Sequence, residues 1–176
     1  KKLMWTKKKI KIIPSFRYNK KNVPDMSVFI FFPFNFFNLK KITEEFENFL
    51  KISEPKSLNI FKIKNHTYAN ESKKHLILIE ELKKIMKIYQ NRFDKKKKKK
   101  KSIIIGATST VIVALQANVE VIHICEDPIF EMYSENLWRP LKVNKVTRNT
   151  YIYRQKTRDS LVKFSNSDNL LRKFCF

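Results

Sequence analysis

Gly106 is the only glycine in the 176 residues. It closes an apolar run, Ser102 to Ile105, and Ala107, Thr108, Ser109 and Thr110 follow it. Glycine permits a turn with positive φ. A helix that starts just beyond such a turn leaves its first backbone N–H groups without helical partners. Those N–H groups, with nearby hydroxyls, make a cradle for a phosphate. The phosphate-binding candidates are therefore Gly106, Thr108, Ser109 and Thr110, with Ser109 and Thr110 as the main donors. The same residues also suit a plain tight turn with a hydroxyl cap. The spacing is neither a P-loop nor the dinucleotide fingerprint, since both need more glycines.

Two further residues carry chemistry. His66 stands in the polar stretch Asn65 to Asn70, after an apolar run. There it can donate to a phosphate or act as general acid or base, so it is the catalytic candidate. Glu126 follows the apolar run Val119 to Ile124. A carboxylate just past such a strand can accept hydrogen bonds from ribose hydroxyls. Asp127 competes for that role, but Asp127-Pro128 reads better as the start of a helix. His75 falls among lysines and reads as solvated. His123 falls inside a strand pattern and reads as a packed, hydrogen-bonded core residue.

The elements around these residues alternate. Apolar runs at 27–32, 60–64, 102–105 and 119–124 read as strands. Between them, 39–52, 72–91 and 110–117 read as helices. The first has Leu39, Ile42, Phe46, Phe49 and Leu50 inward; the second has Leu76, Ile79, Leu82, Ile85 or Met86, and Tyr89 inward. Such alternation predicts an α/β fold: a Rossmann-like parallel sheet with helices on both faces, right-handed crossovers and strand ends on one rim. Ligands of such sheets bind beyond the carboxyl ends of the strands. Tyr151 to Tyr153 reads as an edge strand. Residues 1–26 read as a basic lead-in, 27–155 as the nucleotide-binding domain, and 156–176 as an irregular tail.

Lys and Arg number 38 against 16 acids, a formal charge of +22. That balance suits a polyanion or an anionic membrane surface. The excess of Lys, Asn, Ile and Phe, with little Gly or Ala, also matches AT-rich coding. Lys95 to Lys101 cannot pack and reads as a solvated loop. Phe29, Phe31, Phe32, Phe34, Phe36 and Phe37 lie near Lys40 and Lys41, a mixture that can stack bases; burial in a strand explains them more cheaply. Cys125 and Cys175 make neither a disulfide framework nor a metal site. No apolar run reaches the ~18 residues of a membrane span, and no signal-peptide pattern appears. The expected location is cytoplasmic, with peripheral attachment to the inner face of a membrane open through basic charge.

The chain resembles the C-terminal half of GT-B-type glycosyltransferases of bacterial surface-carbohydrate and capsule synthesis, a group that includes sialyltransferase-like enzymes. Ile63-Lys64-Asn65-His66 resembles their Ile-Lys-x-His-Pro motif, with Thr67 in place of the proline. Thr108, Ser109 and Thr110, followed by Val121-Ile122-His123-Ile124, resemble their second motif. Pro14 to Tyr18 resembles the segment that leads into this half. The resemblance covers residues 12–155. It implies a nucleotide-sugar donor, CMP-linked in some members, a glycan acceptor, and a partnering N-terminal half-domain. It implies His66 acting on the leaving phosphate, the Gly106 turn holding phosphate, and Glu126 holding ribose. It implies no cofactor, and the sequence has no paired aspartates that suggest a metal. The chain has no room for the N-terminal half, so it is expected to be a fragment, inactive alone. Specific nucleic-acid binding is not expected on this reading. The alternative is a non-catalytic basic module for nucleic acid or anionic membrane, which predicts one contiguous basic face.

Overall fold

The computed structural model describes residues 29–31, 38–64, 72–96, 100–132, 134–137 and 140–156. The lead-in, the Phe32–Phe37 stretch, the loop that holds His66, Lys97 to Lys99 and the tail, with Cys175, lie outside the described residues.

The elements are β1 (Phe29–Phe31), α1 (Leu39–Ile52), β2 (Leu58–Asn59), β3 (Lys62–Lys64), α2 (Lys73–Ile88), β4 (Phe93–Asp94), β5 (Lys101–Ile105), α3 (Thr110–Gln116), β6 (Glu120–Ile124), α4 (Ser134–Leu137), β7 (Leu141–Lys145) and β8 (Thr150–Gln155). Six strands form one sheet in the order β3-β1-β5-β6-β8-β7. The first four are parallel, while β8 runs antiparallel to β6 and to β7. β2 and β4 pair separately. The fold is thus the expected α/β class, with a mostly parallel Rossmann-like sheet.

Strand periodicity sorts the core into two layers. Ile30, Ile103, Ile105, Ile122 and Ile124 face α1 and α2 through Phe46, Phe49, Leu50, Leu78, Leu82 and Ile85. Phe31, Ile104, Val121 and Tyr153 face the other way, onto Val111, Ala114 and Leu115 of α3. Ile103, Ile104 and Ile105 are all fully buried, so the parallel β5 is apolar on both faces. Each such side chain contributes about 1.5–3 kcal/mol relative to exposure.

Local signals set the helix limits. Asn38 caps α1, its Oδ1 accepting from the Lys41 N–H at 3.0 Å. Ser53, before Pro55, ends it by donating its own N–H to Phe49 and Leu50 carbonyls. In α2 the buried residues are His75, Leu78, Leu82 and Ile85. Leu76 is 51% exposed, contrary to the expected inward face, and His75 at 4% is buried rather than solvated. Both departures come from one rotation of the helix face, which sequence periodicity leaves uncertain when apolar residues run consecutively from Leu76 to Ile79.

Three other expectations are corrected. Asp127-Pro128 starts no helix; residues 125–132 are irregular. Tyr151 to Tyr153 lies in β8, which is interior, while β7 forms that edge. Lys101 opens β5 instead of joining the loop, its Nζ 3.1 Å from Glu120. Handedness differs as well. The connection through α1 steps from β1 to β3, and the one through α2 steps back past β1 to β5. Both helices lie in one apolar cluster on one face, so these two crossovers have opposite hand.

Candidate functional site

Parallel β1, β3, β5 and β6 place their carboxyl ends on one rim, as expected from the alternation. The chain leaves β1 toward β3 and leaves β5 toward β6, so the order reverses between the adjacent strands β1 and β5. In open α/β sheets such a reversal opens a crevice that takes ligands.

Gly106 follows β5 on this rim and has φ 79°, a left-handed value that explains the glycine. Its N–H donates to the Ile124 carbonyl at 2.8 Å, tying the turn to the end of β6. Its carbonyl accepts from His123 Nε2 at 2.9 Å. A carbonyl can only accept, so His123 carries its proton on Nε2. Its Nδ1 lies 3.1 Å from the Tyr153 hydroxyl, whose one proton goes either to that nitrogen or to the Phe130 carbonyl, 3.0 Å away. Burial holds the His123 pKa down at about 4, against the hydrogen bond to Gly106, which raises it. The ring is therefore neutral at pH 7. Burial also pushes the Tyr153 hydroxyl and the Cys125 thiol upward. His123 is thus a satisfied core histidine, as its strand position implied, and it props the Gly106 turn from below.

The hydroxyl residues divide their work. Thr108 Oγ1 accepts from the Thr110 N–H at 3.3 Å and lies 3.0 Å from Thr110 Oγ1. Thr108, not Ser109, supplies the side-chain cap of α3. Ser109 makes no side-chain cap bond and is exposed. Among the described residues, the N–H groups of Ala107, Thr108 and Ser109 find no acceptor. The turn therefore leaves three amides and the Ser109 hydroxyl without a partner among the described residues. The Thr110 amide, expected to be a phosphate donor, is already engaged by Thr108.

Glu126 lies beside this turn, two residues past Ile124, which pairs with Ile105. Its carboxylate pairs with Lys41, from the first turn of α1. Both side chains are largely open to solvent, so the pair is worth about 0–1 kcal/mol and can be exchanged for a ligand. Lys41 is the rim cation that sequence reasoning missed; only its place three residues after the Asn38 cap could have signalled it. The β7–β8 hairpin closes this side of the sheet, with Thr147 and Thr150 hydroxyls donating to Glu45 of α1. His66, the catalytic candidate, lies outside the described residues.

Among the described residues, no group of three or more His, Cys, Asp or Glu side chains is arranged to hold a metal ion. No helix among them is long and apolar enough to cross a membrane. The fold and rim define an α/β domain of Rossmann-like class. Comparison with family models, curated proteins and solved structures finds no match.

Proposed function

We propose that this chain binds the phosphate of a nucleotide at the Gly106 turn, as the donor-binding half of a surface-carbohydrate glycosyltransferase. The observation that carries the phosphate site is the set of unengaged amides at Ala107, Thr108 and Ser109, beside the strand-order reversal. A negative oxygen placed there replaces water with N–H donors already fixed by Gly106 and His123. Charge-assisted bonds of this kind are roughly twice as strong as neutral ones. Lys41 adds a cation at the same rim, and Glu126 supplies an acceptor for ribose once it exchanges Lys41. The sugar-transfer reading, with its nucleotide-sugar donor and glycan acceptor, rests on the resemblance of residues 12–155. In that reading His66 assists the leaving phosphate, and the turn offsets the charge that develops on it.

Titration calorimetry of the folded chain with CMP, UMP, GMP and AMP and their diphosphates tests the site. Ser109→Ala is expected to weaken the best nucleotide by about 0.5–1.5 kcal/mol, or somewhat more against a charged phosphate. His66→Ala is expected to weaken it more at pH 6 than at pH 8, since a protonated ring is the better phosphate partner. Affinity unchanged in both variants would reject the donor site.

A further inference from the structure

Far from the β7 edge, the described sheet ends at β3, whose only strand partner among the described residues is β1. Among the described residues, the backbone N–H and C=O groups on its outer side pair with no further strand, which makes it an edge. Beside that edge runs a groove of about 460 Å³, lined by Phe61, Lys62, Ile63, Ile79, Lys83 and Met86. Its floor is apolar. Ile63, Ile79 and Met86 are only partly buried, and neighbouring Ile60 is 45% exposed. On the opposite face of β3 stand the exposed Lys62 and Lys64, with Lys64 Nζ 5.7 Å and 5.9 Å from the Phe29 and Phe31 ring centres.

We propose that this edge docks an extended segment of a partner protein, added as a strand beside β3, with alternating apolar and acidic residues. The two faces of β3 dictate the alternation. Side chains on the α2 face of an added strand would enter the groove over Ile63, Ile79 and Met86. Side chains on the other face would neighbour Lys62 and Lys64, where carboxylates form favourable cross-strand pairs. Main-chain bonds to the edge supply affinity, and the groove selects the alternate side chains. A second copy of this chain is the wrong occupant, because pairing β3 with itself would set Lys62 and Lys64 against lysines. Lys83 is held by Glu80 at 3.1 Å, an exposed pair that yields readily to a carboxylate from the partner. The inference is independent of the nucleotide site.

The test is fluorescence anisotropy of the full chain with a labelled peptide of alternating Val and Glu, about ten residues long. Binding is expected at about 0.15 M salt, where long-range attraction is screened. The same peptide N-methylated at alternate residues keeps its charge but cannot donate to the edge; it is expected to bind at least about tenfold more weakly. Met86→Asp, checked for folding by circular dichroism, is expected to bind the unmodified peptide about tenfold more weakly as well. A peptide of alternating Val and Lys should not bind. Absence of binding by the Val/Glu peptide overturns the proposal. Equal binding by the methylated peptide also overturns it, since charge alone would then explain the contact. Sedimentation that finds dimers lost on Ile63→Asp would overturn the choice of occupant.

Discussion

His123 makes the stability of this fold depend on pH in a calculable way. The ring is fully buried and its pKa falls from 6.5 to about 4, chiefly through lost solvation. An unfolded chain takes up the proton near pH 6.5, whereas the folded one does so only near pH 4. Stability from the neutral ring is therefore complete above pH 6.5 and is lost as pH falls through about 4. At about 1.4 kcal/mol per pH unit, the gap amounts to about 3 kcal/mol. Tyr153 and Cys125, the titratable neighbours, have pKa values raised by burial, so neither titrates in this window. His123→Gln keeps an amide N–H for the Gly106 carbonyl and an acceptor for Tyr153, but has no proton to gain. Urea unfolding of parent and variant between about pH 7.5 and pH 4.5 isolates the effect, because the rest of the chain is the same in both. The difference in unfolding free energy should shift by about 2–3 kcal/mol across that range, with the parent losing more. Parallel pH profiles would refute the burial argument, as would a parent that gains stability in acid relative to the variant.

The other expectations concern the cap, the charges and the rim. Thr108→Ala should cost about 0.5–2 kcal/mol in urea unfolding, because Thr108 and not Ser109 caps α3; Ser109→Ala should leave stability within about 0.5 kcal/mol. Replacing Lys95 to Lys100 with a Ser/Gly linker should leave nucleotide affinity within about threefold at moderate salt, since only screened attraction is lost. Glu120→Gln should instead destabilise the fold by about 1–3 kcal/mol, because Glu120 holds both Lys101 and Arg154 at the foot of β5, β6 and β8. Glu126→Ala should blunt discrimination between ribo- and 2′-deoxynucleotides in calorimetry; unchanged discrimination would remove Glu126 from the site.

Much of the candidate site was legible because it is local. Gly106 announces a turn that only glycine makes cheaply, and the hydroxyls that follow announce a helix start. The division of labour between Thr108 and Ser109 was not legible, since it depends on which hydroxyl turns toward the Thr110 amide. Lys41 was hidden for another reason: its partner Glu126, marked by its place just past a strand, is 85 positions away, and nothing in the sequence joins the two. His75 was misread because lysines beside it suggested solvent, while the buried face of α2 is chosen by α1 and the sheet.

Periodicity and turn chemistry act between near neighbours in the chain. From the sequence alone they determined the α/β class, most strand and helix positions, and the glycine turn between β5 and α3. Strand order, the opposite hands of the first two crossovers and the antiparallel β7–β8 pair came only with the assembled molecule. Those features depend on contacts between distant segments: Ile124 against Thr150, Glu45 against Thr147, and the apolar faces of α1 and α2 against each other. Each such contact is a choice among several surfaces of similar apolar character, and only the joint packing of all of them selects one.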